Sequence, residues 1–142
     1  MMQHINTSEE LPRLDKSDLE SKTGIWVCLL EKNINVLMPV PAQIDLIYKS
    51  GYIIDCNDAF AKMYGFTTAS EMTGKKLQDF FLYNEQNLEL LTSFITSGYN
   101  LSGVESKEMD AERRIVYFIN TIKGILINNT LIGAKGEQEI KI

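Results

Sequence analysis

Histidine occurs once in this chain of 142 residues, at His4, and cysteine twice, at Cys28 and Cys56. A lone histidine at the extreme start leaves no imidazole to act as a base in the body of the chain. The two cysteines each sit inside an apolar run, without the close spacing that zinc and redox motifs require. They are expected to be reduced, buried thiols of a cytoplasmic protein. Basic residues are the minority charge, 14 Lys and Arg against 19 Asp and Glu, for a net charge of -5. Without a basic stripe to meet phosphates, direct nucleic-acid binding is excluded. Long apolar runs are missing too. None exceeds the length of a strand, and the polar, mixed-charge segment from Met1 to Lys22 lacks the apolar core of a signal peptide, so no membrane span is expected. Neither a nucleophile elbow nor a phosphate-cradling glycine loop is found.

What is present begins with 44% hydrophobic residues. At this length that fits one domain, able to bury roughly two-thirds of the surface its unfolded chain exposes. The segment GYIIDCNDAFAKMYGF, Gly51 to Phe66, is the most informative. Tyr52, Ile53 and Ile54 suit a strand, and Asn57 stands where its side-chain oxygen can cap the first free amides of a helix. Phe60, Met63 and Tyr64 then follow helical spacing, and Gly65 can take the left-handed conformation that ends the helix. Asn57 is read as a structural cap and Cys56 as core.

Upstream, Leu11, Leu14 and Leu19 form a thin apolar stripe after Thr7 and Glu10, a pair at capping-box spacing. This predicts a short amphipathic helix that needs the domain or a second chain to pack against. Gly24 to Glu31 is a strand-length apolar run, with a turn expected over Lys32 to Asn35. Pro41 opens a helix whose Ile44, Ile47 and Tyr48 share a face, and Gly51 stops it. Thr68 and Glu71 predict a one-turn helix over Ala69 to Thr73 that ends at Gly74, and Leu77 to Leu82 another short apolar turn. Leu88, Leu91, Phe94 and Ile95 mark one long helix over Asn87 to Ser97. Leu101 to Met109, Ile115 to Ile127 and Thr130 to Ile142 read as three antiparallel strands, with Asn128 and Asn129 turning the last pair. The layout is α+β, with helices on one face of an antiparallel sheet.

The order of these elements, with CNDAFAKMYGF, a TGKKL turn and the FITSGY helix end, resembles the PAS sensor family. SGYNLSGVESKEMD, YFINTIKGI and AKGEQ continue the match, which spans about Gly24 to Gln138. It is nearest to the branch found in bacterial and archaeal sensor histidine kinases. The resemblance implies a five-stranded antiparallel sheet cupping short helices and one long helix. It also implies an N-terminal amphipathic segment over 1–22, then a single PAS domain over 23–142 with an insertion at 32–50. Family members often pair through the N-terminal helix and the outer sheet face. Leu11, Leu14, Leu19, Tyr117 and Ile119 are therefore the expected homodimer contacts. Where the family leaves its last strand through a D-I-T-like segment, this chain has Glu139, Ile140, Lys141 and Ile142. That leaves a fragment of a longer protein or a domain that signals through a separate partner.

The resemblance also sets the cofactors to consider. Haem would need an axial ligand near the long helix, and the only histidine is His4. A light-oxygen-voltage flavin sensor would need a reactive cysteine in an NCRFLQ-like helix, which is not found. No cofactor is expected beyond a small, mostly apolar ligand. Along Tyr117 to Gly124, Phe118, Asn120 and Ile122 share one face and Tyr117, Ile119 and Thr121 the other, so both faces of the sheet should be covered. The expected cavity lining is Met63, Tyr64, Leu91, Phe94, Phe118, Asn120 and Ile122. Asn120 either fixes a ligand's polar group or pairs inside the core. Asp55, Glu105 and Glu108 are expected in solvent or paired with Lys107 or Arg114; a carboxylate inside the cavity would instead permit isomerase-like base chemistry. The leading expectation is a non-catalytic sensory module that binds a small ligand or partner, with a histidine kinase or other signalling protein as effector. A ligand-free dimerisation or adaptor domain is the alternative.

Overall fold

In the computed structural model, which describes residues 13–142, five segments are strands, of which the second and fourth are densest in β-branched and aromatic residues. They are Gly24–Asn35 (β1), Gly51–Cys56 (β2), Asn100–Met109 (β3), Ile115–Ile127 (β4) and Thr130–Ile140 (β5). All four neighbouring pairs are antiparallel, in the order β2-β1-β5-β4-β3. Asn128 and Asn129, at φ 50° and 62°, make the tight turn between β4 and β5, a conformation that asparagine tolerates and that matches strand twist.

The helices among the described residues are Lys16–Glu20 (α1), Val40–Ser50 (α2), Asp58–Met63 (α3) and Glu85–Thr96 (α4), with 3-10 turns at Ala69–Glu71 and Leu77–Asp79. α2, α3 and α4 lie on one face of the sheet. Ile44, Ile47 and Tyr48 of α2 and Leu90, Leu91, Phe94 and Ile95 of α4 close one core cluster with Ile34, Ile122 and Leu131. Phe60, Ala61 and Tyr64 close a second, over Ile53 and Phe118. On the opposite face Leu14 packs on Ile25 and Val27, beside a smaller cluster of Leu29 and Ile132. No helix among the described residues is long and apolar enough to cross a membrane.

Several expectations need correction. β1 continues through the expected turn at Lys32 to Asn35, because Ile34, fully buried, pairs with Leu131 after an irregularity that begins past Leu29. The turn comes later, where Asn35 accepts from the Leu37 amide at 2.8 Å. Thr68 and Glu71 do form a reciprocal box, but it caps a 3-10 turn that ends at Glu71. Thr7, Glu10 and Leu11 lie outside the described residues. The first described helix is capped instead by Asp15, which accepts from the Asp18 amide at 2.8 Å, while Asp18 returns the bond. α4 starts earlier than expected, where Asn84 accepts from the Asn87 amide at 2.9 Å.

Asn57 caps α3 as expected, accepting from the Phe60 amide at 2.9 Å. Its oxygen also accepts from Ile25, and its amide donates to the carbonyls of Asp18 and Thr23. One fully buried side chain thus fastens α1 and the start of β1 to α3. Asn57→Ala is expected to cost about 2 kcal/mol in denaturant melts, from the lost cap and the stranded buried amide and carbonyls. Asn57→Asp, which keeps the cap but cannot donate, should recover only part of it. Full recovery by aspartate would show that the cap alone matters.

Candidate functional site

Between the sheet and the helices lies a cavity of about 80 Å³. Its apolar wall comes from every layer of the fold. Ile47 of α2, Phe60 of α3 and Leu90, Leu91 and Phe94 of α4 face Cys28, Ile122, Leu131 and Ala134 of the sheet, with Phe80 and Phe81 between. Four polar side chains interrupt this wall: Tyr64, Glu108, Asn120 and Gln138.

They belong to one network. The Tyr64 hydroxyl donates to Glu108 Oε1 at 2.5 Å, and Ser106 Oγ donates to Glu108 Oε2 at 2.5 Å. Gln138 Nε2 donates to the Tyr64 oxygen at 2.9 Å, and Asn120 Nδ2 to the Ser106 oxygen at 2.9 Å. The amide of Asn120 also reaches the carbonyls of Val104 and Phe118. Strand geometry builds this cluster, since Ser106, Asn120 and Gln138 come from β3, β4 and β5, with Asn120 paired across to both Val104 and Gln138.

Burial dominates the electrostatics. Removal from water pushes the Glu108 carboxyl up to about 7, against the opposing pull of the Ser106 and Tyr64 hydroxyls. Tyr64 is driven well above the ordinary phenol value by its own burial, then by the adjacent carboxyl. Burial raises the Cys28 thiol to about 12, so it stays a neutral, inert part of the wall. Trp26 also lines the cavity, and Gly136 makes room for its indole: a Cβ there would fall 2.2 Å from Trp26 Cζ2. Its Nε1 is sealed from solvent with no acceptor among the described residues.

Of the expected lining, Tyr64, Leu91, Phe94, Asn120 and Ile122 are brought together at the cavity. Phe118 is not at the wall. It packs behind it, fully buried, with its ring centroid 5.2 Å from that of Tyr64. Met63 is also not at the wall. It is half-buried and borders a surface groove with Leu19 and Ile140. The largest correction concerns Glu108, expected in solvent or paired with Lys107 or Arg114 but 3% exposed within the cavity. Arg114 pairs instead with Asp110 and Glu112. Glu105 is on the outer side in an ion pair with Lys141, and Asp55 accepts from the Leu14 amide. Gln138 and Ser106 were absent from the sequence reading. The available signal was the alternation of Ser106 with Glu108 and of Ala134, Gly136 and Gln138, which puts each set on one strand face.

Of the expected dimer residues, Leu19 is 53% exposed and Tyr117 39% exposed, whereas Leu14 is buried on its own sheet. Ile119 is half-buried on the outer side of β4. Leu11 and His4 lie outside the described residues. Among the described residues no three side chains of His, Cys, Asp or Glu gather as metal ligands would.

Comparison with known proteins agrees with this architecture. Residues 43–133, more than half of the chain, match the family described as PAS domain. No curated protein matches the sequence. Among solved structures, the PAS domain of a Colwellia psychrerythraea protein is similar, with a TM-score of 0.60 at 18% identity, over 89% of this chain and 92% of that one. A PAS domain from a two-component sensor histidine kinase follows, with a TM-score of 0.56 at 12% identity, over 87% and 88%. The LOV domain of a blue-light activated histidine kinase from Erythrobacter litoralis has a TM-score of 0.54 at 13% identity, over 83% and 94%.

Proposed function

This chain belongs to the PAS domain family, and from that premise we propose that it is a sensory signalling module whose internal cavity binds a small ligand. The observation that carries the reading is the placement of one hydrogen-bonded polar cluster in an otherwise apolar chamber. An apolar wall supplies affinity and a few fixed polar groups supply orientation, which is how small-molecule sites are built. The ligand acts by binding two arrangements of the module unequally. A homodimer is the assembly through which that difference is passed on, with exposed Leu19 and Tyr117 and half-buried Ile119 as its contacts. Similar folds in histidine kinases suit such a kinase as the effector.

Within this reading the ligand is small. About 80 Å³ is well below the roughly 300–1,000 Å³ of sites for drug-sized molecules. A flavin is far larger than this cavity, and Cys56 is not at its wall. The position of Glu108 favours a second reading, in which a buried carboxyl near neutrality serves as a proton acceptor in isomerase-like chemistry. It ranks lower because both carboxyl oxygens are already occupied by hydroxyl donors.

Native mass spectrometry of protein purified without denaturant tests the proposal. A dimer carrying a retained small molecule is expected, and Leu19→Asp with Tyr117→Asp should shift it to monomer. A dimer with nothing retained would favour the adaptor alternative, and a monomer at micromolar concentration would remove the dimer from the mechanism.

A further inference from the structure

Asn120 and Gln138 are each 3% exposed and line the cavity, yet their amide oxygens accept no hydrogen bond from the described residues. Neither oxygen is sealed off, since the one sealed and unpaired side-chain polar atom among the described residues is Trp26 Nε1. Both therefore open into the cavity as unused acceptors. Glu108 is reached from each through a single intervening hydroxyl, Tyr64 from Gln138 and Ser106 from Asn120. With the unpaired Trp26 Nε1 sealed away, the polar capacity left open to a ligand at this wall is acceptor. Among the described residues no Lys, Arg or His lines it. An anion would meet a carboxyl and two amide oxygens, at the full cost of burying an unpaired charge. A cation would supply the counter-charge that Glu108 lacks, among aromatic rings such as Phe60, Phe80 and Phe94.

We infer that the ligand of this cavity is a short primary ammonium, its N–H groups donating to Asn120 Oδ1 and Gln138 Oε1 and its charge offsetting a Glu108 carboxylate. This rests on the sensory reading above and names the class of molecule sensed. A cavity of about 80 Å³ admits only a small ligand of a few non-hydrogen atoms, such as a short-chain amine. At a ceiling of about 1.5 kcal/mol per non-hydrogen atom, a four-atom amine binds no tighter than roughly tens of micromolar, which suits an abundant metabolite.

Binding is coupled to pH through Glu108. The titratable groups that face it are Tyr64, just past the end of α3, and Tyr48 on α2, both raised by burial, and Cys28 on β1 completes the wall. All three are neutral near pH 7, so Glu108 is the group that changes charge there. Its ionised fraction rises about tenfold from pH 6 to pH 8, while a primary amine, like lysine at about 10.4, stays protonated.

Isothermal titration of the whole chain with n-propylammonium chloride, 1-propanol and sodium propionate at pH 6, 7 and 8 tests the inference. Propylammonium should bind once per chain, about tenfold more tightly at pH 8 than at pH 6, and propionate not at all. Glu108→Gln should weaken propylammonium at pH 8 at least tenfold and remove the pH dependence. Should that variant fail to fold, the wild-type pH series decides. Propanol binding as tightly as propylammonium at pH 8, or propylammonium binding that ignores pH, overturns the ammonium assignment and leaves the sensory reading standing with a neutral ligand. No binding of any probe overturns the assignment as well. If native mass spectrometry also finds nothing retained, the sensory reading falls with it.

Discussion

Raising the pH from 4.5 to 8 is expected to destabilise the folded protein by about 3 kcal/mol through Glu108 alone. Burial lifts its carboxyl from the ordinary value of 4.5 to about 7, so the folded state holds a proton that the unfolded chain releases. The contribution is fully present below 4.5 and is lost as the pH rises through 7; a shift of this size at about 1.4 kcal/mol per unit gives the figure. Carboxylates held low act in a different range. Asp18 beside Lys135, Glu105 beside Lys141 and Asp110 under the amide and guanidinium of Arg114 contribute above their unfolded values and lose that contribution in more acidic solution. Urea melts of wild type and Glu108→Gln across this window isolate the effect. Wild-type stability should fall relative to the variant as the pH rises, and the variant should be the more stable protein at pH 8. A constant difference between the two would mean that Glu108 is solvated.

Gly133→Ala should be as damaging, with a loss of about 3 kcal/mol or more. Gly133 sits in β5, the central strand, paired with Leu29 of β1 and Ile125 of β4, and it lines the cavity. A Cβ there would stand 2.2 Å from the Cys28 carbonyl oxygen and 3.0 Å from Leu29 Cα. Both obstacles are backbone, which a rotamer change cannot move. Overpacking a well-filled core usually costs about 1–3 kcal/mol, and separating two ladder-bonded strands should reach the top of that range or pass it. At Gly136 the obstacle is the Trp26 ring, so Gly136→Ala paired with Trp26→Leu should be rescued where Gly133→Ala is not. Thermal melts of these three proteins check the contrast; equal loss in all of them would mean that backbone proximity is not the cause.

The elements themselves were legible because each carries its own local signal. Asn57 caps a helix wherever it is placed, Pro41 opens one, and the paired asparagines at 128 and 129 turn a hairpin. The apolar side of α4 follows from spacing, which is why Leu91 and Phe94 were assigned to the cavity wall and are found there. Met63 shares its helical spacing with Phe60 but borders the surface groove, while Tyr64, the next residue, reaches the cavity.

Glu108 was misread for a different reason. Strand carboxylates usually face solvent or pair with a cation, and Glu105 and Glu108 were both expected to do so; alternation counted from buried Leu101 would not have separated them correctly, since it points Glu105 inward and Glu108 outward. Gly103, at φ 69°, carries a bulge that advances β3 by three residues while β4 moves back two, from Leu101 opposite Ile122 to Val104 opposite Asn120. Beyond that extra residue the faces exchange, so Ser106 and Glu108 enter the core and Glu105 turns out to Lys141. The sequence by itself therefore determined the family, the order of elements and the apolar wall, since these depend on local propensity and on periods within one segment. The polar cluster was decided only in the tertiary structure. Its members come from the end of α3 and from β3, β4 and β5, and a buried carboxyl keeps its proton near neutrality only where packing removes water strongly enough to outweigh the Tyr64 and Ser106 hydroxyls, which favour its ionised form.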